Sequence, residues 1–465
     1  MSENQNYDYD VVIIGAGPGG YVAAIRANQL GLKPVVIEKD KPGGVCLNIG
    51  CIPSKSLIHQ ADVFRHRADL AGMGLKIDES GFDYSSVFKK SRAAAQRLSK
   101  GVQSLLKKNK VEYVNGEARI TGPHEVTVDG DKKISGKAIL IATGSRPREI
   151  PGFEFDEKQI LSSTGALMLE KLPKSLVIMG AGAIGMEFAF VMNAFGVEVT
   201  VVELLDRVLP LEDEETAAVI AKDFEKSGIT MLTGTKATGL KKGKTLEITV
   251  QDKDGKESTL KSEKLLVAVG RAPNTEGLGL EEVGVTLDRG FVRVGDYYRS
   301  SVDSIFAIGD VTSSPLLAHV ASKEGEIAIE YLAGHHPEAR IDPLLIPSAV
   351  YCEPQIGSFG YTEAKAKEAG VAYKTAVFPY RGAGKAVAIE QPEGLVKLLF
   401  NPETKAIIGG HVVGSAATEL IHEILLAAKA ELLPEDIATM VHAHPTISEA
   451  VMESARQAEG WAIHF

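Results

Sequence analysis

The sequence predicts an α/β fold with two doubly wound units and a C-terminal α+β domain. A strand, a glycine turn and a helix of small residues follow one another near residue 15, and the same series returns near residue 180. After about residue 347, alternating apolar and polar residues predict antiparallel strands with helices. We predict one domain from residues 1–148 and 272–346, a second from residues 149–271, and a third from residues 347–465.

The first unit begins with residues 11–14, a continuous apolar run typical of a strand that is buried on both faces. The glycines that follow fit the pattern G-x-G-x-x-G and are Gly15, Gly17 and Gly20. The first glycine permits a tight turn, the second lets the backbone approach a pyrophosphate, and the third lets the helix pack on the strand. A second strand ends in Glu38, where a carboxylate can bind ribose hydroxyls. The series predicts a Rossmann-like dinucleotide-binding site.

The second unit repeats the first. A strand over residues 176–179 precedes the glycines of a second G-x-G-x-x-G, which are Gly180, Gly182 and Gly185. Glu203 ends the next strand and follows Gly180 by 23 residues, just as Glu38 follows Gly15. This internal repeat predicts two dinucleotide sites. The Glu203 carboxylate would accept hydrogen bonds from a ribose 2′-hydroxyl and repel a 2′-phosphate, so we expect NAD rather than NADP in the second site.

Two of the three cysteines, Cys46 and Cys51, stand five positions apart. An ideal helix would hold their Cα atoms about 9 Å apart, whereas a disulfide needs them within roughly 7 Å. A bridge therefore requires an irregular turn, which Gly50 permits, and we expect such a bridge to be easily reduced. A helix beginning near Cys51, with Pro53 in its first turn and Lys55 close by, would stabilise a thiolate. We predict a redox dithiol; the alternatives are a stapling disulfide or two buried thiols.

Composition limits the possible partners. The 465 residues include 51 Lys and Arg against 61 Asp and Glu, a formal net charge of −10. Such a chain is not expected to bind nucleic acid or an anionic membrane. No apolar run is long enough to span a bilayer, and the polar start fits no targeting signal, so we expect a cytoplasmic protein. Cys352 is interpreted as an ordinary structural residue, and no metal site is predicted.

Two further positions carry groups suited to a functional site. Asp310 follows a buried strand, where it could contact a ligand or simply cap a helix. His444 lies five residues before Glu449, so the two could form a general base and its orienting partner. By itself this pattern also fits a loop histidine without a function. The histidines interpreted as structural are His411, His422 and His442.

Taken together, the repeated units, Cys46-x4-Cys51, Gly309-Asp310 and the segment 444–449 resemble the flavoprotein disulfide reductases over residues 7–465. The redox motif and Glu203 most resemble the members that oxidise protein-bound dihydrolipoyl groups with NAD. The alternative is a glutathione-reductase-like enzyme, which would use NADPH. The chain departs from the family pattern at Lys41-Pro42 and at Cys352, where a threonine is expected.

The resemblance implies that FAD binds the first unit and NAD the second. Beyond the glycines and Glu38, the expected FAD contacts are Lys55, Gly116, Thr143, Gly144, Asp310 and Ala318. The expected NAD contacts are Gly180, Gly182, Gly185, Glu203 and Gly270, with Glu187 paired to Lys55 beside the flavin.

The resemblance also implies catalytic roles and partners. Cys46 would exchange with the substrate and Cys51 would face the flavin. His444, held by Glu449, would be the base and would reach the dithiol of the other subunit. The enzyme would be a homodimer built on a C-terminal dimerisation domain. Its partners would be the lipoyl domains and E2 core of 2-oxoacid dehydrogenase complexes or the H-protein of glycine cleavage.

Overall fold

The computed structural model describes residues 6–464, and the chain divides into two compact units. The first unit contains the chain up to residue 56 together with residues 85–148 and 270–341. The second contains residues 57–84, 149–269 and 342–465. In the described part of the chain, no helix is long and apolar enough to cross a membrane. The finer domain boundaries given above stay predictions.

The first unit is built on a sheet with the strand Tyr9–Ile14 at its centre. Residues 11–14 of this strand are at most 4% exposed, as expected for a strand covered on both faces. Its parallel neighbours continue outward on both sides, in the spatial order Glu112–Asn115, Pro34–Glu38, Tyr9–Ile14, Lys132–Ile141 and Ile305–Ala307. The first half of Lys132–Ile141 instead pairs antiparallel with Glu125–Val128, which pairs with Ala118–Gly122.

One helix of the first unit begins where the sequence provides a start signal. Pro18–Gln29 begins directly after Gly17, with a proline in its first turn. The other α-helices that begin in the first unit or at its edge are Gly44–Ile49, Cys51–Arg65, Tyr84–Lys108 and Ala318–Leu332. Short 3₁₀ turns occupy Asp296–Tyr298 and Gly309–Val311, and the small strand pairs are Ser145–Pro147 with Arg271–Pro273 and Leu287–Asp288 with Phe291–Val292.

The second unit contains a parallel sheet in which four strands follow the same order as in the first. Ser175–Met179 lies at its centre, and the full order is Thr230–Leu232, Glu198–Val202, Ser175–Met179, Lys264–Val267 and Ile160–Leu161. A three-stranded antiparallel sheet follows, formed by Lys236–Lys241, Leu246–Gln251 and Glu257–Ser262. The accompanying helices are Arg67–Gly72, Ser163–Leu167, Ala183–Ala194 and Glu214–Lys226. The predicted duplication therefore extends to the order of four strands; the fifth differs, because Ile160–Leu161 precedes its unit's repeat in the chain whereas Ile305–Ala307 follows it.

The C-terminal part of the second unit is an antiparallel sheet with helices packed against it, as predicted. Its strand order is Ser348–Val350, Gln355–Gly360, Ile407–Gly414, Leu395–Phe400 and Lys374–Pro379. Its helices are Glu363–Glu368, Gly384–Ala388, Ala417–Lys429, Pro434–Thr439 and Glu449–Ala458, with 3₁₀ turns at Pro343–Leu345 and Tyr380–Gly382. One apolar core joins the sheet to the long helices, since Phe378, Val396 and Ile424 are at most 1% exposed.

A buried lysine links the two parts of the second unit. Lys397, only 1% exposed, lies 3.0 Å from Asp213, 2.7 Å from Glu215 and 2.5 Å from Glu363. Asp213 is also the N-cap of the helix Glu214–Lys226. Burial alone would lower the pKa of Lys397, but the three carboxylates outweigh it and raise the pKa above its usual value. The lysine therefore stays charged through the neutral and moderately alkaline range.

Replacing Lys397 should destabilise the second unit. In Lys397→Met the buried Asp213 carboxylate loses its cation, and breaking a buried ion pair on one side costs about 3–5 kcal/mol. We expect a clear drop in the thermal unfolding midpoint, measured by circular dichroism. Lys374→Met, on an exposed position of the same sheet, is the matched control. Equal midpoints for the two variants would contradict the role given to Lys397.

Candidate active site

The two cysteines predicted to form a redox pair are bonded. The helix Gly44–Ile49 ends at Gly50, whose backbone leaves the helical region at φ −150° and ψ −116°. The next helix begins at Cys51. This break brings the Cα atoms of Cys46 and Cys51 to 4.7 Å, and their sulfur atoms are joined. The structure confirms the predicted disulfide, the irregular turn at Gly50 and the helix that begins at Cys51.

Polar side chains hold the segment around the disulfide in place. The amide of Asn48 donates to the carbonyls of Pro42 (3.1 Å) and Gly44 (2.9 Å). From the helix Tyr84–Lys108, the guanidinium of Arg92 donates to the carbonyl of Asn48 at 2.8 Å, and Ser91 donates to the carbonyl of Pro53 at 3.2 Å. Nothing in the sequence indicated the support from Arg92 and Ser91, because their partners lie about forty positions away along the chain.

Cys352 provides a contrast to the bonded pair. It is fully buried and free, and burial together with the nearby Glu187 carboxylate raises the pKa of its thiol well above the usual value. A thiol held in its protonated form is a poor nucleophile. Its interpretation as a structural residue therefore agrees with its environment.

In the first glycine turn, the positions of Gly15 and Gly20 are packed too closely for a side chain. A Cβ on Gly15 would lie 2.3 Å from the carbonyl oxygen of Ala142, and one on Gly20 would lie 1.9 Å from the oxygen of Gly15. Gly15 also has a φ of 105°, which favours glycine. At the end of the neighbouring strand, the Glu38 carboxylate accepts from the amides of Ala16 (2.7 Å) and Asp40 (2.9 Å). Each carboxylate oxygen keeps a lone pair for a further donor.

The second turn has the same geometry. A Cβ on Gly185 would lie 1.9 Å from the oxygen of Gly180, and Gly180 has a φ of 98°. The Glu203 carboxylate accepts from the amides of Ala181 (2.6 Å) and Leu205 (2.9 Å). These amides correspond in position to those that Glu38 binds. The two acids are thus fixed in the same orientation beside their glycine turns.

Both turns present an open space at the start of a helix. Gly17 and Gly182 are the N-caps of Pro18–Gln29 and Ala183–Ala194, and neither turn has a side-chain cap. A Cβ on Gly17 or on Gly182 would have no atom within 4 Å. The first amides of each helix therefore face room that a pyrophosphate could fill, and the helix dipole would favour its charge. The residues present fit a dinucleotide in each unit.

Asp310 belongs to a polar cluster in the first unit. Its carboxylate accepts from the hydroxyl of Ser145 at 2.5 Å and lies 3.7 Å from Arg271. Arg271 also donates to the Ser145 hydroxyl at 2.7 Å. The amide of Gly309 donates to the buried Glu324 at 2.6 Å, and burial raises the pKa of that carboxyl. Asp310 lies inside the 3₁₀ turn Gly309–Val311 and is not an N-cap.

The other predicted FAD contacts lie in the first unit with their turn, and Gly270, a predicted NAD contact, also belongs to the first unit although the second turn lies in the second. Thr143 and Gly144 are tied to Asn274, which donates to the carbonyl of Thr143 at 3.0 Å and to that of Gly144 at 2.9 Å. Gly116 donates to the carbonyl of Glu38 at 3.0 Å. Ala318 opens the helix Ala318–Leu332, and Gly270 has a φ of 116° at the start of a short strand.

Two of the predicted partners lie in different units. Lys55 is on the helix that carries Cys51, in the first unit, whereas Glu187 is on Ala183–Ala194, in the second. The Glu187 carboxylate accepts from the amide of Tyr351 at 3.2 Å. The pairing of Lys55 with Glu187 stays a prediction.

His444 and Glu449 meet in the second unit. The Nδ1 atom of His444 lies 3.0 Å from Oε1 of Glu449, and the other carboxylate oxygen accepts from the amide of Thr446 at 2.9 Å. Partial burial alone would raise the pKa of Glu449, but these hydrogen bonds outweigh it and lower the pKa. The ionised carboxylate requires Nδ1 of His444 to donate, which leaves Nε2 free to accept a proton. The imidazole is 76% exposed, so this nitrogen is accessible.

Comparisons with known proteins agree with this geometry. The family model of the pyridine nucleotide-disulphide oxidoreductases matches residues 9–325, and the dimerisation domain of that family matches residues 346–455. Dihydrolipoyl dehydrogenase of Corynebacterium glutamicum is 44% identical, with 98% of this chain and 99% of the relative covered. Dihydrolipoyl dehydrogenase of Rhizobium etli is 42% identical, with 97% and 98% covered. The crystal structure of LpdA from Mycobacterium tuberculosis has a TM-score of 0.89 at 29% identity, with 96% and 99% covered.

These matches confirm the predicted fold class and the prediction of a flavoprotein disulfide oxidoreductase that uses FAD and NAD(H). The C-terminal part of the second unit corresponds to a dimerisation domain. The chain belongs to the pyridine nucleotide-disulphide oxidoreductases, and within them to the dihydrolipoyl dehydrogenase family.

Proposed function

We propose that this protein oxidises a protein-bound dihydrolipoyl group to its disulfide and passes the electrons to NAD. The observation that carries the proposal is the bonded pair Cys46–Cys51 at a helix break, in a chain with two dinucleotide turns. His444, oriented by Glu449, supplies a base of the kind that such a reaction needs. Relatives with 41–44% identity over almost the whole chain have the same activity in their names.

The first step is a thiol–disulfide exchange. A dihydrolipoyl thiol is mostly protonated at neutral pH, and only its thiolate attacks a disulfide. Nε2 of His444 takes the proton, and the thiolate attacks Cys46, which displaces Cys51 as a thiolate. The second dihydrolipoyl sulfur then attacks the mixed disulfide, so the lipoyl disulfide leaves and Cys46 and Cys51 are both reduced. The positive end of the helix Cys51–Arg65 stabilises the Cys51 thiolate.

The remaining residues hold the cofactors. When bound, FAD would supply the redox chemistry that links the dithiol to NAD. The pyrophosphates would lie against the amides after Gly17 and Gly182, and the spare lone pairs of Glu38 and Glu203 would accept from ribose hydroxyls. Asp310 would contribute a carboxylate to the FAD site, with its orientation fixed by Ser145.

We further propose a cytoplasmic homodimer in which His444 of one subunit reaches the dithiol of the other. The match of residues 346–455 to a dimerisation domain supports the dimer. The exposure of the His444 ring supports a base that can reach a second subunit. The proposed partners are the lipoyl domains and E2 core of a 2-oxoacid dehydrogenase complex or the H-protein of glycine cleavage. The cytoplasm keeps free thiols such as Cys352 reduced.

Glu203 should make the enzyme specific for NAD. Both of its oxygens are fixed by backbone amides, so the carboxylate cannot turn away from a 2′-phosphate. We expect rapid turnover of dihydrolipoamide with NAD and little with NADP, followed anaerobically by absorbance of the reduced nicotinamide. Equal efficiency with the two nicotinamides would contradict this role of Glu203. NADPH oxidation with glutathione disulfide, without any dihydrolipoamide turnover, would favour the glutathione-reductase-like alternative.

Two glycine variants should separate nucleotide binding from folding. Gly182→Ala adds a methyl group in open space, where a phosphate would lie, so the KM for NAD should rise about tenfold or more without loss of stability. Gly185→Ala forces a methyl group against the oxygen of Gly180 and should lower both nucleotide affinity and the thermal midpoint. Steady-state kinetics and thermal melts distinguish the two. A Gly182→Ala enzyme with an unchanged KM would place the pyrophosphate elsewhere.

His444→Gln should slow dihydrolipoamide oxidation by about 10²–10⁴-fold, since it removes the general base. Electron transfer from NADH through the flavin to a dye does not need this base and serves as the internal control. We expect the dye activity and the flavin content to stay near the wild-type values. Wild-type turnover of dihydrolipoamide in the variant would remove His444 from the mechanism.

A further inference from the structure

A second histidine–carboxylate pair lies two residues before the proposed base. Nε2 of His442 is 2.8 Å from Oε1 of Glu423, and Nδ1 is 3.2 Å from the carbonyl oxygen of Met440. The His442 side chain is 3% exposed, compared with 76% for His444. The sequence suggested a structural histidine at this position and gave no sign of a partner on another helix.

Two acceptors hold the ring of His442. Its Nδ1 lies within hydrogen-bonding distance of the carbonyl oxygen of Met440, and its Nε2 lies within hydrogen-bonding distance of a carboxylate oxygen of Glu423. Nδ1 of His444 contacts Glu449, and among residues 6–464 its Nε2 makes no hydrogen bond. His411 differs again: burial lowers its pKa, and Nε2 contacts the carbonyl of Tyr361 at 2.8 Å.

These contacts fix both ends of residues 441–448, the segment that carries His444. At the beginning, His442 joins the segment to the helix Ala417–Lys429 through Glu423. At the end, Glu449 holds His444 and the amide of Thr446. In between, the Thr446 hydroxyl donates to the carbonyl of Ala443 at 2.8 Å. No regular helix or strand holds residues 441–448, so these side-chain bonds carry that task.

We propose that His442 is a positioning residue for the reaction, a clamp that fixes the segment bearing His444 and so aims Nε2 of His444 at the substrate thiol. The inference rests on the proposed function, because it assigns the clamp to the base of that reaction. His442 does not itself touch substrate or cofactor. Its loss leaves Glu423 partly exposed, at 26%, so water can solvate the carboxylate and the fold should survive.

The expected effect on the rate follows from the position that a general base must hold relative to its substrate. A base displaced by about 1 Å can cost on the order of 10²-fold in rate. Removing the clamp should therefore lower kcat for dihydrolipoamide more than it changes KM. Electron transfer from NADH to a dye does not use His444 and should be unaffected. A merely structural role would instead lower both activities together.

The test compares variants of the full-length holoenzyme. His442→Leu removes both ring nitrogens at similar volume, and we expect kcat with dihydrolipoamide and NAD to fall about 10–100-fold while the NADH–dye activity stays within twofold. His442→Gln keeps an amide with two donor hydrogens and should restore part of the rate. His422→Leu, which changes an exposed histidine on the same helix as Glu423, is the matched control and should leave both activities unchanged.

A double-variant cycle tests the clamp itself. Adding Glu423→Leu to His442→Leu should cost little beyond the single change, because the two side chains act as a pair. An unchanged kcat in His442→Leu, or a parallel loss of both activities in His442→Leu and His442→Gln, would overturn the inference while leaving the proposed function intact. A wild-type enzyme that does not turn over dihydrolipoamide would overturn the proposed function, and this inference with it.

Discussion

Close contact between the two glycines of each turn is the constraint on which the dinucleotide-binding architecture depends. In both units a side chain on the third glycine of the motif would lie 1.9 Å from the carbonyl oxygen of the first. Only this contact lets the helix begin directly above the strand, with its first amides towards the open space. The order of four strands and the carboxylate at the end of the second strand repeat with it. The duplication thus preserves a packing contact as well as a sequence motif.

The cysteines of this chain occur in two chemical states, a bonded pair and a free buried thiol, and the surrounding structure decides between them. Cys46 and Cys51 come within bonding distance because one helix stops at Gly50 and another starts at once. The second helix then directs its positive end towards Cys51. Cys352 is surrounded by protein and close to the carboxylate of Glu187, which favours the neutral thiol. The reactivity of each cysteine therefore follows from its surroundings: a helix break for Cys46 and Cys51, and burial beside a carboxylate for Cys352.

Features with a local sequence pattern could be predicted, and features without one could not. The strand before Gly15, the helix that begins at Cys51 and the helix that Glu449 opens all depend on neighbouring residues. Lys397 meets Asp213 across 184 positions, and Arg92 meets Asn48 across 44. No periodicity or motif connects residues so far apart. His442 and Glu423, 19 positions apart on different elements, belong to this second group.

The supporting contacts explain how exposed reactive groups can still be held in place. The His444 ring is largely in water, where a side chain would lose orientation unless its neighbours were fixed. Glu449 supplies that orientation from the first turn of a helix packed in the C-terminal core. Glu212, which accepts from Ser348 at 3.0 Å and Ser358 at 2.6 Å, joins the same sheet to the nucleotide-binding part of its unit. The freedom that exposure would give the His444 ring is thus limited by Glu449, whose helix is anchored in the C-terminal core.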